Sequence, residues 1–256
     1  MESLRDSQIR NPQSAIRNRT LVALATYNEI DNLPTLVAAI RRELPAADVL
    51  VVDDNSPDGT GRWCDEEAAR SPWFSVIHRE GKLGLGSASW AAMRAAIDRG
   101  YDLLITLDAD WSHPPEALPR LVAAAAHADV VIGSRYVPGG TIEGWPLSRR
   151  AMSAVMNLAT RVVLGLPLRD ASGACRLYRV EILRRLDFTQ LQASGYAYLE
   201  EILWHLHQLG ARFTEVPIAF AERRAGASKV NAAEALGKAK VLLRLARQRL
   251  RGKQSQ

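Results

Sequence analysis

A run of five apolar or β-branched residues, Leu103-Leu-Ile-Thr-Leu107, stops abruptly at two carboxylates one residue apart, Asp108 and Asp110. A strand buried on both faces of a parallel sheet has this character. Pro114 and Pro115 then end the strand, and Glu116 begins a helical pattern. Open α/β sheets bind their ligands at the carboxyl ends of the strands, so the two acids fall where such a fold places its chemistry. Hard oxygen ligands there suit Mg²⁺ or Mn²⁺, which take one or two carboxylates and complete their shell with substrate phosphates. The same acids can equally cap a helix or face water, and Asp-x-Asp alone does not separate the readings.

The rest of the chain repeats the strand-then-helix pattern. Short apolar runs at 21–26, 49–52, 74–78, 103–107 and 130–133 alternate with helical patterns at 34–44, 63–69, 88–99 and 118–126. That alternation predicts an α/β domain with a doubly wound, mainly parallel sheet flanked by helices. At 256 residues the chain can bury one good core. After Ser134 the pattern changes. Pro138-Gly-Gly140 and Gly144-Trp-Pro146 mark a long loop of the kind that carries function. Helices are expected near 149–164 and 197–209, flanking 170–178, with a strand near 213–220 at the sheet edge. A basic loop follows at 223–229, then a helix over 231–250. The expected division is a tail at 1–19, a domain at 20–230, and a basic amphipathic helix and tail at 231–256.

Composition narrows the class. Cys64 and Cys175 have no metal spacing and read as reduced thiols of a cytoplasmic protein. The first nineteen residues are polar and basic, so a disordered tail is expected rather than a signal peptide. No stretch holds 18 uninterrupted apolar residues; the nearest, 151–168, is broken by Asn157 and Arg161. The net charge of +5 favours anionic partners. No nucleic-acid recognition motif is present, so no such partner is expected.

Several stretches add chemistry, each with a plainer reading beside it. Gly81-Lys-Leu-Gly-Leu-Gly86 resembles a phosphate cradle but has neither P-loop nor Gly-x-Gly-x-x-Gly spacing, and a tight strand–helix turn explains it as well. Asp53 and Asp54 form a second strand-end pair able to accept hydrogen bonds from a base or ribose, or to stabilise the Asn-Ser-Pro-Asp-Gly turn. Arg135, Arg149, Arg150, Arg176, Arg224 and Lys229 lie near loops of the second half, either as solvated charges or as a converging phosphate site. From Lys229 to Lys253, eight Lys or Arg residues occur with one acid, Glu234. Such a helix can lie on an anionic membrane or pack its leucines on the domain.

Tyr27-Asn-Glu29, Asp53 to Thr60, Gly81 to Gly86, Asp108-Ala-Asp-Trp-Ser-His-Pro-Pro115 and Gly133-Ser-Arg-Tyr-Val137 occur in one order. With them the sequence resembles the family 2 glycosyltransferases, and within these the dolichyl (polyprenyl) phosphate mannosyltransferases, from about 21 to 229. The resemblance implies a GT-A fold. It implies that Tyr27, Glu29, Asp54 and Lys82 bind the nucleotide sugar, and that Asp108 and Asp110 hold Mg²⁺ or Mn²⁺ on its diphosphate. It further implies that Arg135, Arg149, Arg176, Glu201, Arg224, Ser228 and Lys229 surround the acceptor phosphate, with Asp110 and Arg135 central to catalysis. Leu199, Cys175 and Ala25 depart from the family's usual Gln, aromatic and Pro, which bears on the pocket but not on the acids.

The activity so implied is inverting transfer of mannose from GDP-mannose to a polyprenyl or dolichyl phosphate. A membrane-protein partner or a peripheral site on the cytoplasmic face of a membrane would bring the protein to its acceptor. Three rivals stand beside it: a UDP-sugar such as UDP-glucose as donor, a nucleotidyltransferase making nucleotide sugars, and an inactive binding module. The nucleotidyltransferase would carry a Gly-rich loop with a Lys near its first strand, which Ala25 to Glu29 does not supply.

Overall fold

The computed structural model of the protein describes residues 18–193, 195–222 and 232–254. The expected tail lies outside them except for Asn18 and Arg19. Arg19 is tied down, its backbone N–H donating to Asp102 Oδ2 at 2.7 Å.

The first half alternates as expected: β1 (Thr20–Thr26), α1 (Leu33–Glu43), β2 (Asp48–Asp53), α2 (Thr60–Arg70), β3 (Phe74–His78), α3 (Leu85–Asp98), β4 (Leu103–Asp108), α4 (Leu118–Ala124) and β5 (Val130–Ser134). Beyond it come β6 (Thr141–Ile142), α5 (Leu147–Leu164), β7 (Arg176–Arg179), α6 (Val180–Arg184), α7 (Tyr198–Gln208), β8 (Phe213–Pro217), β9 (Ala219–Phe220) and α8 (Ala232–Gln254). The glycine stretch gives up its last residues to α3, which starts at Leu85 behind Gly84.

The main sheet has seven strands in the order β3-β2-β1-β4-β7-β5-β8. β1, β2, β3 and β4 are mutually parallel. β7 runs antiparallel to both β4 and β5, so β4 and β5 point the same way without touching, and β8 is parallel to β5 at the edge. β6 and β9 form a separate two-stranded ribbon.

Alternate side chains of the strands serve two cores, as the period of two demands. Leu21, Ala23, Leu50, Val52 and Leu104 face α3, α7 and α8 through Ala92, Met93, Leu203 and Leu245. Val22, Leu24, Val49, Val51 and Ile105 face α1, α2 and α4 through Leu36, Ile40, Cys64 and Leu121. Both cysteines are buried free thiols. Burial pushes each thiol up to about 12, so neither is a reactive thiolate.

Two glycines shape the end of β5 and the loop after it. A Cβ on Gly133 would lie 3.1 Å from the Cys175 side chain and from Ile218. On Gly140 it would lie 2.7 Å from the Ser134 carbonyl oxygen, so the loop after β5 can fold back on itself only without a side chain there.

Candidate active site

The parallel strands end on one edge of the sheet, which gathers Thr26, Asp53, Asp108 and Ser134 with the loops they lead into. Asp53 stitches the first two loops. Its carboxylate accepts from Thr26 Oγ1 at 2.9 Å, Ser56 Oγ at 2.6 Å and the Ser56 N–H at 3.0 Å. Ser56 Oγ in turn accepts the Asn28 N–H, and Asp58 accepts from Ile30 N–H and Thr60. Asp53 and Asp58 are therefore turn-builders, and Asp54 alone of this cluster faces the cleft. Asn28, Asn55 and Trp111 hold left-handed backbone at φ 59°, 57° and 64°, one in each loop following β1, β2 and β4. Asn tolerates this conformation, whereas Trp111 carries strain of order 1–3 kcal/mol.

The loops after β1, β2 and β3, with the 195–196 segment, wall a cleft of about 260 Å³ lined by Thr26, Tyr27, Glu29, Asp54, Lys82, Gly84, Gly195 and Tyr196, among others. The four residues expected on the nucleotide side thus share one wall system. Lys82 lays its ammonium 4.8 Å from the centre of the Tyr27 ring, a cation–π contact. Behind the cleft, Arg79 was missed by sequence reasoning. Its Nε lies 2.7 Å from Asp54 Oδ1, a charge contact rather than an aligned hydrogen bond, and Nη2 donates to Oδ2 at 3.3 Å. The same guanidinium donates to Ser87 Oγ and to the Gly84 carbonyl, bracing the glycine turn. Burial raises the Asp54 carboxyl above its ordinary value, and Arg79 opposes the rise. The only signal for Arg79 in the sequence was its place directly after β3.

A smaller hollow, about 20 Å³, continues from the cleft beside Ala25, Leu85 and Ala88 to Thr106 and Asp108. Asp108 is about one-third exposed (31 %), while Asp110 is buried and accepts the Ser112 N–H at 3.0 Å. His113 brings Nδ1 to 3.9 Å from Asp108 Oδ2. Its burial depresses the imidazole to about 4 despite Asp110 nearby, so the ring is neutral at neutral pH. Among the described residues no group of three or more Asp, Glu, His or Cys is arranged to cage an ion. Two hard carboxylates without such a cage suit a divalent ion that takes its remaining ligands from substrate and water.

On the far side, Arg135 follows β5. Its Nε and Nη2 grip the two oxygens of Asp170 at 2.8 and 2.7 Å, its backbone N–H donates to the same carboxylate, and Nη2 reaches Ser172 Oγ. Burial opposes both charges, yet the fork holds Asp170 below the usual carboxylate range and Arg135 above its ordinary value. Asp108 is close enough to add to the field that favours the Arg135 charge. An aromatic chain ties this region to the acidic loop: His113 packs edge-on against Phe220, and Phe220 against Trp145. Arg149 lies 4.0 Å over Trp145 and pairs with Glu222 at 3.0 Å.

Two expected acceptor residues are reassigned. Arg176 is wholly buried, and its guanidinium donates to the carbonyls of Gly173, Ala171 and Leu199 at 2.7–2.8 Å. It fastens β7 to the 171–173 loop and α7 instead of facing a phosphate. Glu201 is also fully buried. It accepts the N–H groups of Gln192 and Ala193 and pairs with Arg244 of α8. It therefore anchors the loop that leads to Gly195 and Tyr196. Arg224, Ser228 and Lys229 lie outside the described residues.

Residues 21–187 match the family model Glycosyl transferase family 2. The chain belongs to that family. Like its fellow members it is a glycosyltransferase, which sets aside the nucleotidyltransferase and inactive-module readings. It is 47 % identical over 213 residues to the undecaprenyl-phosphate mannosyltransferase of Micrococcus luteus, covering 83 % of this chain and 88 % of that protein. It is 44 % identical to the polyprenol monophosphomannose synthase of Mycolicibacterium smegmatis, covering 83 % and 81 %. With the dolichol-phosphate mannosyltransferase of Pyrococcus furiosus it shares 33 % identity, covering 82 % of this chain and 58 % of that protein. Among solved structures, glucosyl-3-phosphoglycerate synthase from Mycobacterium tuberculosis, in complex with Mn²⁺, UDP and glucosyl-3-phosphoglycerate, superposes with TM-score 0.64 at 20 % identity over 90 % of this chain and 81 % of that one. The same enzyme with Mg²⁺ and UDP gives 0.63 at 21 % identity, covering 90 % and 80 %. The architecture of this family 2 enzyme is accordingly the GT-A fold. No helix of the described residues is long and apolar enough to cross a membrane.

Proposed function

We propose that the enzyme transfers mannose from GDP-mannose to a polyprenyl phosphate, inverting the anomeric centre to give a β-linked mannolipid. The observation that carries this reading is the identity of 47 % and 44 % to two proteins named for mannose transfer to such lipids. The geometry agrees with it. A cleft walled by Tyr27, Glu29, Asp54 and Lys82 continues as a smaller hollow to Asp108, whose carboxylate acts on the charge of Arg135.

A phosphate monoester has a second pKa near ~6, so the acceptor is largely a dianion at neutral pH and needs no strong general base. Its approach to a diphosphate needs charge neutralisation instead. Asp108 and Asp110 would hold Mg²⁺ or Mn²⁺, which when bound offsets the charge of the leaving diphosphate. Arg135, kept charged and aimed by Asp170, favours the acceptor phosphate from the opposite side, with Arg149 nearer solvent. Arg224, Ser228 and Lys229 are proposed to complete the phosphate contacts.

The test is incubation with labelled GDP-mannose and polyprenyl phosphate in detergent, with UDP-glucose in parallel. The expected product is a β-mannolipid from GDP-mannose alone. A glucolipid from UDP-glucose, with none from GDP-mannose, would keep the enzyme class and overturn the donor.

Arg79 allows a finer check. Arg79→Met is expected to raise KM for the donor about tenfold with a smaller effect on kcat, because the brace acts on Asp54 and the glycine turn. Without Arg79 the Asp54 carboxyl rises further, so the variant's donor affinity should fall more steeply than the wild type's as pH is lowered. Equal pH profiles would contradict the role.

A further inference from the structure

Two neighbouring carboxylates are buried in the first turn of α7. Glu200 and Glu201 keep 1 and 0 % of their surface, and each meets a cation of α8. Lys238 Nζ lies 2.5 Å from Glu200 Oε1, and Arg244 pairs with Glu201. A helix N-terminus favours negative charge, yet a carboxylate buried this deeply still needs a cation. Lys238 and Arg244 are six residues apart, about 9 Å along a helix axis. Two pairs at that separation hold α8 on α7 against both sliding and rolling. Leu245, fully buried in the core that faces α3, keeps the same side of α8 turned inward.

The two pairs differ in what hangs from them. Glu200 Oε2 has no hydrogen-bond partner among the described residues, so the pair with Lys238 only joins the two helices. Glu201 is a junction. Its Oε2 accepts the N–H groups of Gln192 and Ala193 at 3.0 and 2.9 Å, and the Arg244 fork spans Glu201 and the Gln192 side-chain oxygen at once. Two residues further on, Gly195 and Tyr196 line the cleft, and their carbonyl oxygens accept the N–H groups of Tyr198 and Leu199. This wall of the cleft is thus held by α7 on both sides, and by α8 through Arg244. Val241 of α8 and Tyr196 also pack on one small cluster of Ala193, Ala197, Tyr198 and Leu199. Leu85, the cleft residue that opens α3, packs on the same cluster.

We propose that Arg244 is a positioning residue for the nucleotide-sugar donor. Through Glu201 and Gln192 it sets where Gly195 and Tyr196 stand in the cleft, so α8 tunes donor affinity without touching the donor. Without the guanidinium, Glu201 is a buried charge lacking its cation, and the acceptor that fixes Gln192 and Ala193 is no longer held in place. A binding wall is only as precise as the layer supporting it. The inference rests on the cleft being the nucleotide site, so its test reads nucleotide binding as well as turnover.

The full chain would be titrated calorimetrically with GDP and, in parallel, UDP in the presence of Mn²⁺, and initial rates of mannose transfer would give KM and kcat. Arg244→Gln is expected to weaken nucleotide binding and raise the donor KM about tenfold, with kcat at saturation within about twofold of the wild type. Lys238→Met breaks the neighbouring pair on the same two helices. It should lower the melting temperature comparably while leaving donor affinity near that of the wild type. If Arg244→Gln does not fold, Arg244→Lys takes its place: an ammonium neutralises Glu201 but cannot span Gln192 in the same fork, so binding should still weaken. An arginine variant that binds nucleotide as the wild type does, or a Lys238→Met that weakens binding equally, would make the Arg244 pair merely structural and overturn the inference. A wild type that binds UDP and not GDP would overturn the proposed donor alone, with Arg244 then judged on UDP. Binding of neither nucleotide would overturn the cleft as the donor site, and this inference with it.

Discussion

Asp110→Asn is expected to lower kcat by a factor on the order of 10³ or more while leaving the melting temperature close to that of the wild type. The buried Asp110 uses one oxygen to accept the Ser112 N–H at 3.0 Å, and an amide oxygen can keep that bond. The loop through the strained Trp111 would therefore persist. What the amide removes is the negative charge, and with it half of the two-carboxylate set expected to hold a divalent ion. Initial rates of mannose transfer together with a thermal melt separate the two effects. A wild-type rate would remove Asp110 from catalysis, and a collapsed melt would make its role structural.

Asp170→Ala is expected to destabilise the fold by about 3–5 kcal/mol, because it leaves the buried Arg135 guanidinium without its partner. That is a large share of the roughly 5–15 kcal/mol that holds a typical domain together. Asp170→Asn keeps an acceptor for the Arg135 N–H and should cost less. The pH dependence follows from the direction of the shift. Asp170 sits below the usual carboxylate range in the folded protein, so its stabilisation is fully present above about pH 4 and is lost as pH falls through the depressed value. Denaturant melts should show a constant gap between wild type and Asp170→Asn near neutral pH, closing only in strong acid. A gap that widens on acidification would have the sign wrong.

The parallel half of the fold was legible because β1 to β5 are short apolar runs, each closed by turn formers, and such runs have one common solution. β7 was not. Four residues with arginine at each end do not read as a central strand, and Arg176 becomes buriable only because three backbone carbonyls await it. Position in the family's motifs cast Arg176 and Glu201 as ligands, and sequence cannot tell a cation facing a phosphate from one facing carbonyls. The acidic pair and Asp54 were visible from their places after strands. The brace from Arg79 was hidden, because it depends on α3 beginning inside the glycine stretch. α5 shows the same limit from another side. Its periodicity marks a helix with two faces, but only the packing of Ser153 and Asn157 tells which face turns inward.

The central claim is that sugar moves from a nucleotide diphosphate, held with the help of Asp108 and Asp110, to a lipid phosphate. The most direct test is the initial rate of labelled mannose transfer from GDP-mannose to polyprenyl phosphate, measured in Mn²⁺, in Mg²⁺ and after chelation with EDTA. The account predicts a mannolipid with either or both ions, loss of product on chelation, and recovery when the ion is restored. Undiminished transfer in EDTA, or no mannolipid under any of the three conditions, would contradict it.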